Sequence, residues 1–596
     1  NDAALGSGSV SVAGGSLNLG GRTIANAVSI SAGVLSGGTI AAAQVAATGG
    51  AISAVLSGDG GIAKGGSGTL TLSGSNDYSG GTTISAGTLA FGNLNALGGG
   101  TLSFTGNSTL QSAAAGTLAN ALSIDAGVTA TFDSQSNANV LSGGIGGSGG
   151  LVKIGAGTLT LSGSNTYSGG TTISEGIVAV ASAAALPTTG TVSVADGSQL
   201  QISGNQAFSA TLDLAGALSG QGSLLSATGS NQWSGPISVS TPTTRIEAAA
   251  GTHTISGEIS TSGEGNLVFQ GDGNTTVTGK LTGTMQPFRS TGGTGIVTLS
   301  NPLNDFSGGV GIGANVYGPT LRLGASEVIP HGAEKGNLRF TGNSPTQYGV
   351  LDLAGQSETI NGLEDNAAGA AIIDNLAGGN STLSIGAGDT TSAFLGTIQN
   401  TAGTVAVTKI GSGTLTLSGP NTYSGDTTIS AGTLALGAGG SLANSAAISV
   451  ASGATFDVSA LTGGLAIAAS QSLGGTGSIL GSLAFGADSK LAFGSSLTVN
   501  SGTVTFNGFG INDIIGLDGS LVSAGTYTLL GGDATFDLTN ALDVGAGNAV
   551  DIGGGKTAYL QEGSLQVVVV PEPAGLVVAG LGIGLAVVAA ARRRRW

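Results

Sequence analysis

Short runs in which every second residue is apolar recur along the whole chain. In the heptapeptide GTLTLSG at residues 68–74, the two Leu residues alternate with Thr, and this period of two is typical of a half-buried strand. Turns rich in Gly, Asn and Ser follow such runs, because Gly and Asn tolerate positive φ. Turn signals at intervals of about 8–12 residues predict an all-β chain, either a many-stranded sandwich or a solenoid.

One unit of nearly 30 residues occurs three times. Its copies are KGGSGTLTLSGSNDYSGGTTISAGTLAFG at 64–92, KIGAGTLTLSGSNTYSGGTTISEGIVAV at 153–180 and KIGSGTLTLSGPNTYSGDTTISAGTLALG at 409–437. A degenerate fourth copy, GIVTLSNPLNDFSGGVGIGA, occupies 295–314. Each copy predicts a strand, a Gly/Asn turn, and two further short strands separated by a Gly turn.

The residue types favour a solenoid over a sandwich. The inward positions of the predicted strands are Leu, Ile, Val and Ala, the outward positions are Ser, Thr and Gly, and helix-forming runs are nearly absent before the C-terminus. We therefore predict a right-handed parallel β-helix with roughly 20–25 residues per rung, stabilised by stacking of neighbouring rungs. The predicted β-solenoid occupies 1–440, and the weaker repeats at 441–566 are expected to cap it.

The three good copies resemble the autotransporter-associated β-strand repeat, also called the passenger-associated transport repeat. They cover roughly 15% of the chain, and about a dozen positions are the same in each. The resemblance implies a secreted β-helical passenger. Autotransporters end in a translocating outer-membrane barrel, which we do not find in this sequence, so a passenger of that kind would need a barrel encoded elsewhere.

Composition narrows the classes of function. Only 8% of the residues are charged and 113 of 596 are Gly, which disfavours an ordinary globular enzyme. A hydrophobic content of 40% and a mean hydropathy of +0.34 disfavour a disordered chain. The net charge of −16 would repel phosphate backbones, so we expect no nucleic-acid partner. The chain has no Cys, which excludes disulfides and thiolate chemistry.

The C-terminal sequence predicts a membrane anchor. A linker at 567–573 precedes 18 uncharged, mostly apolar residues at 574–591, about 27 Å as a helix, which just spans the hydrocarbon core of a bilayer. The tail at 592–596 opens with Arg592, Arg593, Arg594 and Arg595. The positive-inside rule places this tail in the cytoplasm and the repeats outside.

The linker carries a candidate sorting motif. The motif consists of Val570, Pro571, Glu572 and Pro573. Together with the apolar span and the Arg cluster it resembles the PEP-CTERM sorting signal of Gram-negative bacteria. This resemblance implies an exosortase, a membrane-embedded processing enzyme, as a partner, with cleavage near Pro571–Pro573 and mature protein at or released from the cell surface. The association of this family with extracellular matrix is the sole reason to expect extracellular polysaccharide as a further partner.

Candidate catalytic residues are sparse. His253 and His331 are the two histidines, and a lone His among Ser, Thr and Gly is more often a surface or turn residue than a general base. Glu364 and Asp365, with Asp374 nearby, form the densest group of acids, but adjacent strand residues face opposite ways. We predict no catalytic, cofactor-binding or metal-binding residues.

The polar residues of the repeat allow two interpretations. They are Lys64, Lys153 and Lys409, then Asn76, Asn165 and Asn421, then Tyr78, Tyr167 and Tyr423. They could line a ligand stripe. We favour a structural role, in which each Tyr stacks on the same position of a neighbouring rung and each Asn satisfies backbone groups at a corner.

The sequence as a whole predicts an exported, non-enzymatic surface protein with a structural or adhesive role. The main alternative is a polysaccharide-active surface enzyme on the same scaffold. A groove lined by several carboxylates and a nearby Lys or Arg would favour the enzyme, whereas a smooth Ser/Thr face would favour the structural protein.

Overall fold

The computed structural model describes residues 5–240, 243–261, 265–289, 293–314, 319–342, 349–365, 371–561 and 565–572. Within these ranges the chain is all β and contains no α-helix; short 3-10 helices lie at Ala183–Ala185, Ile511–Asp513 and Ala546–Asn548. The chain divides into two compact units, Asn1–Thr462 and Gly463–Trp596.

The first unit is built from parallel sheets, each of which takes one strand from successive turns of the chain. Sheet I contains Val10–Val12, Val28–Ile30, Gln44–Ala47, Gly61–Lys64, Thr82–Ile84, Leu102–Phe104, Leu122–Ile124 and Ile145–Gly147. Sheet II contains Ser16–Ile24, Val34–Ile40, Gly50–Ile52, Val55–Leu56, Thr69–Leu72, Gly87–Phe91, Ser108–Ser112, Thr129–Asp133, Gly150–Ile154, Thr171–Ile173, Thr191–Val194, Thr211–Leu214, Ile237–Val239, Ile259–Thr261, Leu281–Gly283 and Asp305–Phe306.

Further sheets complete the rungs of this unit. Sheet III contains Gly116–Leu118, Asn139–Leu141, Thr158–Leu161, Gly176–Val180, Ser198–Ser203, Leu224–Thr228, Thr243–Ala248, Asn266–Gln270, Gln286–Arg289, Val310–Ala314, Leu338–Gly342 and Leu363–Asp365. Sheet IV contains Ala207–Phe208, Ser230–Trp233, Thr252–Ile255, Asn274–Val277, Ile296–Leu299, Thr320–Leu323, Gly349–Asp352, Ala371–Asp374 and Thr397–Ile398. A small antiparallel hairpin pairs Ala217–Leu218 with Gln221–Gly222.

The last rungs of the first unit use two more parallel sheets. Sheet V contains Glu358–Ile360, Asn380–Ile385, Thr404–Lys409, Thr427–Ile429 and Ala447–Val450. Sheet VI contains Ser392–Phe394, Thr414–Leu417, Thr433–Leu436 and Thr455–Asp457. The strands at 447–450 and 455–457, in the region 441–566 that is expected to cap the solenoid, pair in parallel with the rung before them.

The register confirms the predicted parallel β-solenoid and its rung length. Thr171 lies opposite Leu151, 20 positions earlier, and Val192 lies opposite Thr171, 21 positions later. The rungs lengthen further along, where Val310 lies opposite Leu338.

The period of two in the sequence corresponds to side chains that point alternately into the core and out to the surface. In the strand Thr69–Leu72, Leu70 and Leu72 are fully buried while the Thr side chains face outward. Leu70 lies opposite Leu89, which lies opposite Leu110, so these buried side chains form a column through successive rungs. Burial of such columns is the main source of stability in stacked repeats.

The second unit begins with parallel strands and ends in an antiparallel sheet. Its parallel pairs involve Leu465–Ile467, Ser472–Gly475, Ser478–Leu480, Leu483–Phe485, Lys490–Ala492, Leu497–Asn500, Thr503–Asn507, Ile514–Ile515, Gly525–Gly532 and Thr535–Asn540. The antiparallel strands Val550–Gly553, Lys556–Gln561 and Leu565–Pro571 follow, and the last of them lies between Lys556–Gln561 and Gly525–Gly532.

The segment expected to be a linker at 567–573 is thus a strand as far as Pro571. Val567 and Val569 are buried between the two neighbouring strands, and Glu572 N–H donates to the carbonyl of Gly555 at 2.8 Å. Pro573, the predicted membrane helix at 574–591 and the Arg-rich tail at 592–596 lie outside the described residues. Within the part of the chain that is described, we find no helix with the length and hydropathy needed to cross a bilayer.

Candidate functional site

The Lys that opens each repeat is buried and donates three hydrogen bonds to backbone carbonyls. Lys64 Nζ donates to Gly65 at 2.7 Å and Gly66 at 2.9 Å in its own turn, and to Ala86 at 2.8 Å in the next rung. Lys153 and Lys409 are likewise bonded to two carbonyls of their own turn and to one carbonyl 22 residues later. An ammonium group has three N–H donors, so each of these side chains is fully used within the fold.

Burial changes the acid–base behaviour of these lysines. Burial lowers the pKa of Lys153 to about 8, against the opposing attraction of Asp133 and Glu175. Burial also lowers the pKa of Lys64 and of Lys409. Bonds from an ammonium group to carbonyl oxygens are charge-assisted and stronger than neutral ones. We call this arrangement of one Lys and three carbonyls the lysine clamp.

A glycine on the next rung makes room for each clamp. Gly176 has φ +72°, and a Cβ there would lie 2.5 Å from the carbonyl oxygen of Gly155 and 2.6 Å from that of Gly157. Gly87 and Gly432 have φ of +69° and +64° and meet the corresponding carbonyls at 2.5 Å. The TTIS-x-G part of the repeat therefore requires Gly both for its left-handed backbone and for close approach of the rungs.

The repeat Asn residues connect rungs through backbone groups. Asn165 Oδ1 accepts from Ile145 N–H at 2.8 Å, and its Nδ2 donates to the carbonyl of Ala185 at 2.5 Å. These partners lie 20 residues before and 20 residues after, so one side chain ties three rungs together. Asn76 makes the equivalent pair of bonds, and Asn421 accepts from the previous rung but donates to Gly419 in its own turn. The expected structural role of these Asn residues is confirmed.

The repeat Tyr residues are also internal. The hydroxyl groups of Tyr78, Tyr167 and Tyr423 bond to Thr hydroxyl groups four residues later, at 2.5–2.7 Å. Burial raises the pKa of Tyr78 to about 12, although its bond to Thr82 acts in the opposite direction. The Tyr78 ring packs against Gly98, 20 residues on, where an added Cβ would lie 2.9 Å from the ring. These side chains belong to the core and do not line a ligand stripe.

The two histidines occupy different environments. His253 is fully buried in sheet IV, neither ring nitrogen has a hydrogen-bond partner, and burial lowers its pKa to about 4. His331 lies in a loop, with Nδ1 3.5 Å from a carboxylate oxygen of Glu327. Neither arrangement provides a general base beside a nucleophile.

The acids singled out in the sequence are bonded within the fold. Glu364 accepts from Arg339 at 2.8 Å and from Asn337 at 2.6 Å. Asp365 accepts from Leu395 N–H at 3.0 Å, and burial raises the pKa of this carboxyl group. Asp374 accepts from Gln399 and Thr401. Within the described ranges, no group of three or more His, Asp or Glu side chains could hold a metal ion.

Sequence reasoning missed two buried acids. Asp352 is fully buried and accepts from Arg322 Nε at 2.7 Å, across paired strands of sheet IV. Glu358 accepts backbone N–H groups from Val328 and Ile329, each at 3.0 Å, and burial raises its pKa to about 8. Only the register, which the sequence does not reveal, brings the partners of these acids together.

The surface offers uncharged hydroxyl-rich faces. Outward side chains of sheet I line a groove of about 370 Å³ and include Ser29, Ala46, Ala63 and Thr83, which are in register. On sheet II an outward column of Thr69, Thr88, Thr109 and Thr131 follows the same stacking. Neither of these two columns carries a charge, although Lys64 also lines the groove of sheet I.

The fold defines the class of protein as a parallel β-solenoid with repeated lysine clamps. Three segments, 62–91, 151–180 and 407–436, match the Passenger-associated-transport-repeat family. They coincide with the three repeat copies at 64–92, 153–180 and 409–437 to within two residues at each end, and each contains one lysine clamp.

The chain is also similar to a larger protein, the Adhesin BmaC autotransporter of Brucella suis biovar 1 (strain 1330). The two are 28% identical over 464 residues, which covers 74% of this chain and 11% of that protein. The chain therefore spans a small part of the length of this relative. No solved structure matches the chain.

Proposed function

We propose that the chain is an exported, non-enzymatic β-solenoid of the bacterial cell surface with a structural or adhesive role. The observation that carries this proposal is the use of the polar repeat residues inside the fold, beneath outward faces of Ser, Thr and Ala. The name of the relative from Brucella suis, an adhesin autotransporter, supports an adhesive role at the cell surface.

We further propose that the C-terminus sorts the protein through the PEP-CTERM-like motif, with an exosortase-type enzyme as partner. The motif starts in the last strand at Val570 and Pro571, and Pro571 and Glu572 are exposed. Extracellular polysaccharide is the proposed matrix partner. The outward column of this groove has no charge and carries hydroxyl and methyl groups, which suits a neutral polyhydroxylated chain better than a charged one.

Fractionation of the native host, with mass spectrometry of the C-terminal peptide, tests the sorting proposal. We expect surface protein that ends near residues 571–573, and retention of the Arg592–Arg595 tail in a strain lacking the exosortase-type enzyme. Wild-type protein that keeps this tail in the inner membrane would refute processing and leave a plain anchor.

The adhesive role needs its own test. A deletion strain and the complemented strain are compared for attachment and for retention of matrix polysaccharide. Replacing Ala46 and Ala63 by Glu puts two charges in the groove of sheet I, and we expect this variant to be secreted normally but to bind neutral polysaccharide less. If this variant binds neutral polysaccharide as well as the wild type does, the groove of sheet I is not the binding site.

A second candidate, an autotransporter passenger, is favoured by the repeat matches and by the name of the relative. Mass spectrometry of the C-terminal peptide distinguishes this passenger from a protein sorted by an exosortase-type enzyme. Surface protein that lacks a processed end near 571–573, and that is released by cleavage elsewhere, would favour the passenger. The polysaccharide-active enzyme has weaker support, because Glu364, Asp365 and Asp374 each accept hydrogen bonds within the fold, although Oδ1 of Asp365 has no partner.

A further inference from the structure

His253 is a buried polar side chain without a partner in the interior of the solenoid. It lies in the strand Thr252–Ile255, in register between Asn231 and Thr275, and all three side chains are at most 1% exposed. Neither imidazole nitrogen has a hydrogen-bond partner. The amide of Asn231 is already bonded to Ser226 and to the carbonyl of Thr228, so its N–H groups are engaged elsewhere.

Among the residues that the structure describes, no charged side chain faces this imidazole. The strands packed against its own strand are Leu224–Thr228, Ser230–Trp233 and Asn274–Val277, and none of them contains Asp, Glu, Lys or Arg. The preceding strand in the same rung, Thr243–Ala248, carries Arg245 and Glu247, and both are bonded to Gln270. Burial is the sole cause of the lowered pKa of His253, which agrees with the absence of a facing charge.

We infer that the rungs around His253, residues 224–283, are an acid-labile segment of the solenoid, which opens before the rest of the first unit when the surroundings acidify. A protonated imidazole has two N–H donors and a full charge, and the closed rung offers it neither acceptor nor counter-charge. Protonation is therefore favoured only when the rung opens and water reaches the ring. The segment acts as a pH-sensitive device, independent of the sorting and adhesion proposed above.

The chain contains a natural probe for this opening. Trp233 is fully buried, its ring stacks on Phe208 with centroids 5.5 Å apart, and its strand pairs directly with that of His253. The sequence has two Trp residues, so a Trp596→Phe background leaves Trp233 as the sole tryptophan, which is excited selectively at the red edge of its absorption. Fluorescence of Trp233 and hydrogen exchange of peptides from 224–283 then report on the same rungs.

In the full-length chain we expect the opening constant of 224–283, corrected for intrinsic exchange rates, to rise about tenfold per pH unit between about pH 6.5 and 4. Trp233 emission should shift to longer wavelength over the same range. His253→Leu, which removes the proton site and keeps the volume, should abolish both changes. The exposed His331→Gln should behave like the wild type.

Two results would overturn the inference. One is acid-induced opening of 224–283 in the wild type that is no greater than that of the remaining rungs. The other is acid-induced opening of 224–283 in His253→Leu that is as large as in the wild type. Should the Leu variant fail to fold, His253→Met serves for the second comparison, while the first comparison needs only the wild-type chain.

Discussion

Replacing Lys153 by Met tests the lysine clamp most directly. The substitution keeps the buried chain but removes three charge-assisted bonds, to the carbonyls of Ile154, Gly155 and Glu175. At about 1.5–3 kcal/mol each these bonds contribute roughly 5–9 kcal/mol. Burying the Lys153 ammonium group costs free energy, and a Met side chain does not have this cost. The lowered pKa of about 8 puts the cost at about 3 kcal/mol. We expect a net loss of about 2–6 kcal/mol.

The loss should be local, because each rung of a solenoid contacts only its neighbours. Hydrogen exchange of peptides from 145–180 should therefore accelerate strongly, while peptides from 409–437 should not change, and urea unfolding should begin earlier. Lys280→Met, at a half-buried lysine outside the three repeats, is the matched control. Exchange in 145–180 that Lys153→Met leaves unchanged, or that Lys280→Met accelerates equally, would refute the clamp as a source of stability.

Three further predictions concern the same rungs. Gly176→Ala should cost more than about 2 kcal/mol in urea unfolding because its Cβ would meet the Gly155 carbonyl at 2.5 Å, whereas Gly197→Ala, at φ +75° with open space around it, should cost about 1 kcal/mol. Asn165→Ala should lose about 2–4 kcal/mol by leaving one N–H and one carbonyl of two neighbouring rungs unpaired, and the exposed Asn444→Ala should lose little. Between pH 8 and 10.5 the unfolded chain, with an ordinary lysine pKa of 10.5, binds more protons at Lys153 than the folded chain does. The contribution of Lys153 to stability should therefore rise with pH in this range, by up to about 3 kcal/mol, and a difference between wild type and Lys153→Met that stays flat with pH would contradict this sign.

The strands and the rung length could be predicted from sequence because the period of two and the Gly/Asn turns are local signals. The sequence also indicates that the Lys side chain of each clamp points into the core. Lys64 lies two residues after the buried Ile62, and Lys153 lies two residues after the buried Leu151, so alternation places each Lys on the core side. A charged residue at an inward position indicates a structural role inside the core, and the interpretation of these Lys residues as a ligand stripe does not take this into account.

The C-terminal strand could not be predicted in the same way. The run VVVVP at 567–571 has no alternation that distinguishes a strand from a linker, and one of its two partner strands, Gly525–Gly532, is distant in sequence. Val567 pairs with Tyr527 on one side and with Leu560 on the other. The hairpin with Lys556–Gln561 makes this segment a strand, and the long-range pairing with Gly525–Gly532 makes it a central one. A Pro at its last position is compatible with that because the pairing stops there.

The clamps also bear on how so repetitive a chain reaches one register. Rungs made of Leu, Thr, Ser and Gly are nearly interchangeable, so apolar burial alone discriminates weakly between correct stacking and a slip along the sheet. A buried Lys or Asn discriminates strongly, because a slip would leave an ammonium group without acceptors or an amide without backbone partners. Lys64, Lys153 and Lys409 stand 89 and 256 residues apart, so each can fix the stacking of its neighbouring rungs independently of the others. In this chain the polar interior of the repeat specifies the register, and the apolar columns between the repeats supply most of the burial.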